Sequence, residues 1–115
     1  MRHDVPRHTV SVAAAVFDAE GRVLSIRRDD NGHWEPPGGL LELDEGIHEG
    51  LAREMLEETG LLVEPVALTG VYKNVARGIV ALVFRCEPTG GSLRRTAEAR
   101  EARWLTADEV RALMD

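Results

Sequence analysis

Three glutamates stand close together in the segment EMLEETG, which ends at Gly60. At about 100° per residue, Glu54, Glu57 and Glu58 fall on one face of a helix. Like charges three and four residues apart destabilise a helix by about 0.2–0.5 kcal/mol per pair, and anions in the last turn oppose the helix dipole. Local stability therefore disfavours this arrangement, and another source of free energy must favour it.

A charged face in contact with water is the ordinary explanation of such a cluster, with Arg53 bridging a glutamate four residues away. The position of Glu58 argues against this explanation, because Glu58 falls angularly between Ile47 and Leu51 on the predicted apolar stripe. A carboxylate beside the core is costly unless a cation neutralises it. Carboxylate oxygens suit Mg²⁺ or Mn²⁺ better than zinc. The geometry therefore favours a metal site over a surface face.

The elements that must position this helix can be predicted from composition. The segments TVSVAAAVF and RVLSIRR, joined by DAEG, predict a hairpin-like pair of strands. The segment DDNGHWEPPGG contains two prolines and three glycines and is predicted to be an irregular loop. The helix is expected from about residue 46 to residue 59 and to stop at Gly60.

The second half of the chain predicts further strands and a second helix. LLVEPVALTGVY and GIVALVFRCE are predicted strands, followed by a turn at PTGGS and a short strand at ARWLT. TADEVRALM predicts a helix with Thr106 as N-cap and Glu109 at the capping-box position. The order of elements indicates an α/β domain with a mixed sheet and helices packed on it.

Length and composition set the limits of the protein. With 115 residues and 43% apolar content, we expect one domain over residues 1–115. The last helical pattern reaches Asp115, which leaves open whether the natural chain continues. The net charge of −6 disfavours a partner that is a long nucleic acid. We also expect no membrane partner and a cytoplasmic location, because no apolar run is long enough to span a bilayer and no secretion signal is evident. A homodimer is left open.

The remaining metal and thiol candidates are weak. The four histidines show no paired ligand spacing, so a zinc site is not expected. Cys86, the only cysteine, lies in an apolar strand pattern and is expected to be a buried structural thiol.

The acidic helix and the loop before it resemble a family signature. The chain has every specified position of the Nudix box: Gly39, Glu45, Arg53, Glu54, Met55, Glu57, Glu58, Gly60 and Leu61. WEPPGG before the box and REARWLTADEV after it are also similar to family segments, so the resemblance covers nearly the whole chain. It implies the Nudix fold, an α/β/α sandwich with a mixed β-sheet. It also implies hydrolysis of nucleoside diphosphates linked to another moiety, with Mg²⁺ or Mn²⁺ as cofactor.

The resemblance implies metal-binding and bracing roles by position. The implied metal ligands are the carboxylates of Glu54, Glu57 and Glu58 and the carbonyl of Gly38. Arg53 and Glu45 are implied to brace the loop and the helix through hydrogen bonds, while Gly39 supports the close approach of the loop backbone. Gly46 and Gly50 depart from the serine or threonine cap and the alanine that are common in the family. An interior Gly50 costs about 1 kcal/mol relative to alanine.

Catalytic and substrate-binding candidates follow from the implied chemistry. The catalytic candidates are Arg53 and a general base, which is left open among Glu57 and Glu58 in the box and Glu98 and Glu101 outside it. Glu98 is also a candidate for an extra metal ligand. Arg27 and Arg28 are candidates for a phosphate clamp, with one of them facing solvent as the alternative. Trp34 and Tyr72 are candidates for stacking on a base, with ordinary packing as the alternative.

The sequence leaves the substrate open. We find no extra motif of the NADH-cleaving or coenzyme A branches, and Pro65 lies too close to the box to be the proline of the ADP-ribose branch. By elimination, a nucleoside triphosphate or a modified nucleotide is the leading expectation. The alternatives are ADP-ribose or a nucleotide sugar as substrate, or a non-enzymatic nucleotide-binding regulatory domain. The intact box disfavours this last alternative.

Overall fold

The computed structural model describes residues 5–97 and 99–114. It confirms the α/β class and adds two short strands to the predicted order. The elements are β1 (Thr9–Val16), β2 (Val23–Arg28), β3 (Trp34–Glu35), β4 (Gly38–Leu40), α1 (Ile47–Thr59), β5 (Leu61–Asn74), β6 (Ile79–Gly91), β7 (Ala99–Leu105) and α2 (Ala107–Leu113).

The strands form two sheets. The larger sheet has the order β4-β1-β6-β5, with β1 parallel to β6 and the other neighbours antiparallel. This arrangement confirms the predicted mixed sheet. The smaller sheet is antiparallel, with the order β3-β2-β7. Alternate residues of β1, such as Val12 and Val16, point into the core, where Leu51 and Met55 of α1 are buried in the same cluster.

The predicted hairpin of the first two strands is wrong. A turn does form, with the Asp18 N–H donating to the Arg22 carbonyl at 2.9 Å, but the strands share only the bridge between Phe17 and Val23. Beyond that bridge β1 pairs with β4 and β6, and β2 pairs with β3 and β7. The two strands therefore separate into different sheets because each has more extensive distant partners.

The segment predicted as an irregular loop is also partly wrong, as is the turn at PTGGS. Trp34–Glu35 pairs with β2, and Gly38–Leu40 pairs with β1. Strand β6 continues through Gly91, which lies opposite Leu61 at the start of β5. These pairings join residues far apart in sequence, so local composition does not reveal them.

Helix α1 begins after Gly46 and ends at Gly60, as predicted. Gly60 has the left-handed backbone angle φ 82°, which glycine adopts without a Cβ penalty. Ile47, however, is 42% exposed, so the predicted apolar stripe starts one turn later, at Leu51. The first turn of α1 contacts the larger sheet through His48, whose ring packs edge-on against Phe84 of β6 with the ring centres 5.2 Å apart.

Helix α2 has the predicted capping box. The Glu109 N–H donates to Thr106 Oγ1 at 3.2 Å, and the Thr106 N–H donates to Glu109 Oε1 at 2.9 Å. Neither helix in the described part of the chain has the length and apolar character of a membrane span.

Cys86 lies on β6 and is buried, as its strand pattern predicts. Its side chain belongs to the central apolar cluster, and the residue is 2% exposed. Burial raises the pKa of the Cys86 thiol to about 11, because the thiolate loses its hydration in the core.

Candidate active site

A cleft of about 390 Å³ opens where one side of α1 meets β4 and the loop after β2. It brings together two acids of α1, the glycine pair of β4 and one arginine of β2. The residues that line it are Arg28, Asp29, Asp30, Gly38, Gly39, Leu40, Glu54, Glu58 and Ala97.

Glu54 and Glu58 face this cleft from successive turns of α1. They are only 8% and 6% exposed. The Gly38 N–H donates to Glu58 Oε1 at 2.6 Å. A Cβ on Gly39 would lie 2.4 Å from the carboxylate carbon of Glu54, and one on Gly38 would lie 2.2 Å from the Val12 carbonyl oxygen. The glycine pair is therefore required by close packing between β1 and the acidic face of α1.

Arg53 connects the acidic face to the loop that precedes the helix. Its Nε and Nη2 donate to Glu45 at 2.9 and 2.6 Å, and its Nη1 donates to Glu54 at 3.0 Å and to Glu57 at 3.2 Å. Nη2 also donates to the Leu40 carbonyl at 3.3 Å. One guanidinium thus offsets part of the negative charge of three glutamates.

Glu45 is held firmly by this arrangement. Besides Arg53, it accepts a hydrogen bond from the Glu42 N–H at 2.9 Å. The Arg53 hydrogen bonds, together with that backbone N–H, lower the pKa of Glu45 to about 2. The same contacts raise the pKa of Arg53 above its ordinary value. Both groups stay ionised at neutral pH.

The departure at Gly50 has a packing reason. A Cβ at Gly50 would lie 2.7 Å from Glu45 Oε1 and 2.4 Å from Leu41 Cδ1. The Glu45 oxygen is fixed by Arg53, so it cannot move away without losing that ion pair. Glycine therefore offsets its helix-propensity cost by making room for the bracing carboxylate.

The negative end of α1 is capped by the segment between β6 and β7. The Arg94 N–H donates to the Thr59 carbonyl at 3.0 Å, and Arg94 Nη2 donates to the Leu56 carbonyl at 3.3 Å. Thr96 Oγ1 donates to the Glu58 carbonyl at 3.4 Å. The expected Arg53 bridge to a glutamate four residues away is present, to Glu57 at 3.2 Å, and Arg94 is a second cation at this helix end that the sequence did not predict.

Glu57 lies apart from the cleft-lining acids. Its side chain is 48% exposed, and its carboxylate contacts Arg53 at 3.2 Å. Among residues 5–97 and 99–114, no three histidine, cysteine, aspartate or glutamate side chains form a ready metal-binding group. The structure thus brings Glu54, Glu58 and Gly38 to one cleft and leaves Glu57 at its side.

The two arginines of β2 point to opposite faces, because successive side chains of a strand alternate. Arg28 lines the cleft and contacts Asp30 and Glu35. Arg27 lies on the other face, where its Nε donates to the Gly32 carbonyl at 3.1 Å. The structure therefore places one member of the predicted phosphate clamp in the cleft.

Trp34 and Glu101 lie on the Arg27 side of the smaller sheet. Trp34 pairs with Arg27 across β3 and β2, and the Arg103 guanidinium stacks 4.8 Å from the centre of its ring. Glu101 contacts Arg27 at 3.5 Å and Arg103 at 3.2 Å. Neither residue lines the cleft. Glu98, the other candidate base, lies outside the described residues.

Tyr72 belongs to a shallow trough on the larger sheet. One row of paired residues crosses the sheet from β4 to β5: Leu40, Ser11, Ala81 and Tyr72. Leu40 and Tyr72 are exposed side walls, and the small residues between them form the floor. The Tyr72 ring leans over Gly70, where a Cβ would come within 2.6 Å of it. Gly39 pairs with Val12 and faces Glu54, whereas the neighbouring Leu40 pairs with Ser11, so the trough lies on the face of the larger sheet opposite the acids of α1. Tyr72 does not line the cleft.

Residues 7–115 match the sequence model of the NUDIX domain. The chain belongs to the Nudix family. It is 61% identical over 105 residues to a MutT-like protein from Streptomyces ambofaciens, a match that covers 91% of this chain and 68% of that protein. It is 35% identical over 119 residues to an 8-oxo-dGDP phosphatase from Danio rerio, covering 90% of this chain and 36% of that protein.

A solved structure supports the Nudix fold directly. The NUDIX hydrolase from Nitrosomonas europaea superimposes with a TM-score of 0.83 at 28% identity, covering 92% of this chain and 61% of that one. The fold and family expected from the box are therefore confirmed. This Nudix chain nevertheless spans about two thirds of the first relative and about a third of the second.

Sequence reasoning missed four cleft residues of this Nudix domain: Asp29, Asp30, Leu40 and Ala97. Asp29 and Asp30 directly follow the strand that carries Arg28, and that position was a usable signal, since strand ends and the loops after them often line sites. Ala97 gave no signal, because a small apolar residue in a polar segment has no distinctive chemistry.

Proposed function

We propose that this Nudix domain hydrolyses the pyrophosphate linkage of a nucleoside diphosphate derivative with Mg²⁺ or Mn²⁺. We further propose that the substrate is a nucleoside triphosphate or a modified nucleotide. The observation that carries the proposal is the pairing of two buried carboxylates, Glu54 and Glu58, with the Gly38–Gly39 backbone and Arg28 around one cleft.

The donor chemistry of the cleft fits a hard divalent cation. Glu54 and Glu58 supply carboxylate oxygens, and the Gly38 carbonyl is a further candidate. Mg²⁺ is usually held by one or two carboxylates, with waters and substrate phosphates completing its shell. A bound ion would neutralise the polyanionic substrate and stabilise the leaving oxygen.

The chain's own residues divide the remaining tasks. Arg28 binds a substrate phosphate through charge-assisted hydrogen bonds. Arg53 holds Glu54 in place and ties the loop before α1 to the helix. The attacking water loses its proton to Glu57 or Glu58 in the box, or to Glu98 outside it. Glu58 already accepts the Gly38 N–H, so it also positions the loop, whereas Glu57 is the more exposed acid.

The exposed Tyr72 ring offers a stacking surface for a base, and Tyr72 stays a candidate for that contact. Because Tyr72 does not line the cleft, base stacking on it stays a prediction. The 8-oxo-dGDP phosphatase among the relatives supports a modified nucleotide as the substrate. A cytoplasmic location and a single-domain organisation stay predictions.

A hydrolysis panel tests the proposal. The purified protein is incubated with 8-oxo-dGDP, dGTP, ADP-ribose and a UDP-sugar in the presence of Mg²⁺, Mn²⁺ or EDTA, and products are identified by mass. We expect metal-dependent release of a nucleoside monophosphate, fastest from 8-oxo-dGDP or dGTP.

Each other outcome has a defined meaning. Equal turnover in EDTA would refute the metal mechanism, and a preference for ADP-ribose or the UDP-sugar would replace the substrate assignment. Nucleotide binding without turnover would favour a regulatory domain.

A further inference from the structure

The guanidinium of Arg28 is clamped at the mouth of the cleft. Its Nε donates to Asp30 Oδ1 at 2.9 Å and its Nη2 donates to Asp30 Oδ2 at 2.7 Å, a two-pronged contact. Its Nη1 donates to Glu35 Oε1 at 3.1 Å. These contacts use three of the five N–H groups of an arginine. The other two are the ones that a ligand in the cleft can use without displacing a carboxylate.

Asp30 is itself fixed by a closed turn. The Gly32 N–H donates to the Arg28 carbonyl at 3.0 Å, and the Arg28 N–H donates to the His33 carbonyl at 2.8 Å. Gly32 has φ 72°, an angle that favours glycine and closes the turn. Arg100 on β7 adds an outside tether, because its Nη2 donates to the Asp29 carbonyl at 3.0 Å. These bonds hold the backbone of the turn in place, and the Asp30 side chain, which is 62% exposed, contacts Arg28 from that fixed backbone.

We propose that Asp30 is a positioning residue that orients Arg28 towards the substrate's phosphate groups. This inference rests on the proposed function, where Arg28 is the phosphate contact. A long arginine side chain loses rotamer freedom when it grips a phosphate, and that loss weakens binding. Here the side chain is ordered by Asp30 before the substrate arrives. The carboxylate acts through Arg28 and makes no contact with the phosphate.

If only the charge of Asp30 mattered, removing that charge would strengthen substrate binding, whereas loss of positioning would weaken it. Among the described residues, four carboxylates line the cleft, on Asp29, Asp30, Glu54 and Glu58, together with the guanidinium of Arg28. Neutralising one carboxylate reduces the repulsion of a polyanion, which should tighten substrate binding. Loss of the Arg28 orientation should weaken it. The sign of the change in KM therefore separates the two accounts.

The test compares Asp30→Asn with wild type by steady-state kinetics on 8-oxo-dGDP with Mg²⁺. We expect KM to rise about 5- to 10-fold while kcat stays within about 2-fold, because only ground-state positioning of a binding group is lost. Asp18→Asn is the matched control. It removes an aspartate that holds Arg22 in another tight turn, and Asp18 does not line the cleft. Its KM should match wild type.

A double substitution tests whether Asp30 acts through Arg28. Lysine cannot form the two-pronged contact, so in an Arg28→Lys background Asp30→Asn should leave KM unchanged or lower it. A KM that falls or stays constant for Asp30→Asn alone would overturn the proposal. An equal rise in both backgrounds would do the same.

The proposal can also be separated from the hydrolytic function. If the wild type hydrolyses no nucleotide, the proposed function fails. The dissociation constant of α,β-methylene-ADP with Mg²⁺ then gives the same comparison without turnover. A weaker affinity for Asp30→Asn, with Asp18→Asn unchanged, supports positioning, and an equal or tighter affinity refutes it.

Discussion

Glu57 and Glu58 are neighbours in sequence but have different surroundings. Glu58 is buried and accepts the Gly38 N–H, while Glu57 is half exposed and contacts Arg53. We expect Glu57→Gln and Glu58→Gln each to lower kcat at least about 100-fold, the lower end for loss of a proton-transfer or charge-stabilising group. Steady-state kinetics at saturating Mg²⁺ measure this. Glu87→Gln, at an exposed position on β6, is the control, and near-normal rates for both box variants would contradict the roles that the resemblance implies.

Gly39 is the residue where packing limits the site most directly. In Gly39→Ala the new methyl group would occupy the space of the Glu54 carboxylate, 2.4 Å away, and would displace it. We expect Mn²⁺ affinity to fall about 10-fold, because a misplaced ligand loses most of its directed interaction. Titration calorimetry measures the affinity. The control is Gly90→Ala, where the added Cβ makes an ordinary contact, and its Mn²⁺ affinity should equal that of wild type. An unchanged Mn²⁺ affinity for Gly39→Ala would mean that Glu54 is not a metal ligand.

The ionised Glu45 carboxylate should make the free energy of unfolding depend on pH in the acidic range. Its folded-state pKa of about 2 lies below the ordinary value of 4.5, so the ionised carboxylate stabilises the folded protein. The contribution is complete above about pH 4.5 and is lost as the pH falls towards 2. The stability gap between wild type and Glu45→Gln should therefore narrow over this range in urea unfolding. Exposed Glu64→Gln is the control, and a gap that is independent of pH would contradict the assignment.

Sequence reasoning identified Arg27 and Arg28 together but could not separate their roles. The alternation of a strand already says that one of them faces away from a shared site. The identity of the arginine that faces away depends on the register of β2 with β3 and β7. That register is set by residues distant in sequence. The box acids were predictable from spacing, because both the helix period and Gly60 are local signals. The same signals do not reveal that Glu57 lies beside the cleft.

At the scale of elements, the end of α1 depends on a segment far along the chain. Arg94 caps the Thr59 and Leu56 carbonyls, and its charge lies at the negative pole of the helix. Arg94→Ala should destabilise the protein by about 1 kcal/mol, from a lost side-chain hydrogen bond and a lost dipole interaction. Chemical denaturation measures this. Arg95→Ala removes the same charge from the same segment, and an equal loss in both variants would mean that capping is irrelevant.

The elements show where local patterns fail. Both helices were predicted because helix caps and helical periodicity depend on residues close in sequence, such as Thr106 and Glu109. The pairing of β1 and β2 was mispredicted because a turn sequence fixes a reversal of the chain but leaves the length of the ladder undetermined. Strands β3 and β4 were missed because proline and glycine mask extended backbone that only a distant partner makes into a strand.

At the scale of the whole molecule, a ligand that binds only the folded state should stabilise it. Mn²⁺ at about 100 times its dissociation constant should add about 2.7 kcal/mol to the free energy of unfolding. The gain should be smaller for Glu54→Gln and Glu58→Gln, whose ligand sets are incomplete. Paired thermal melts in EDTA and in Mn²⁺ measure it. An exposed Glu87→Gln variant should gain as much as wild type, and equal gains in all four proteins would place the metal elsewhere.

The thiol of Cys86, the only cysteine of the chain, can report on opening of the core. Cys86 is buried beside the residues on which α1 packs, and burial both shields its thiol from reagents and raises the thiol pKa to about 11. A disulfide reagent can therefore modify the chain rapidly only after the sheet and helix come apart. The rate of this modification measures how often the core opens, and no added label is needed. A ligand that binds the folded protein should lower the rate.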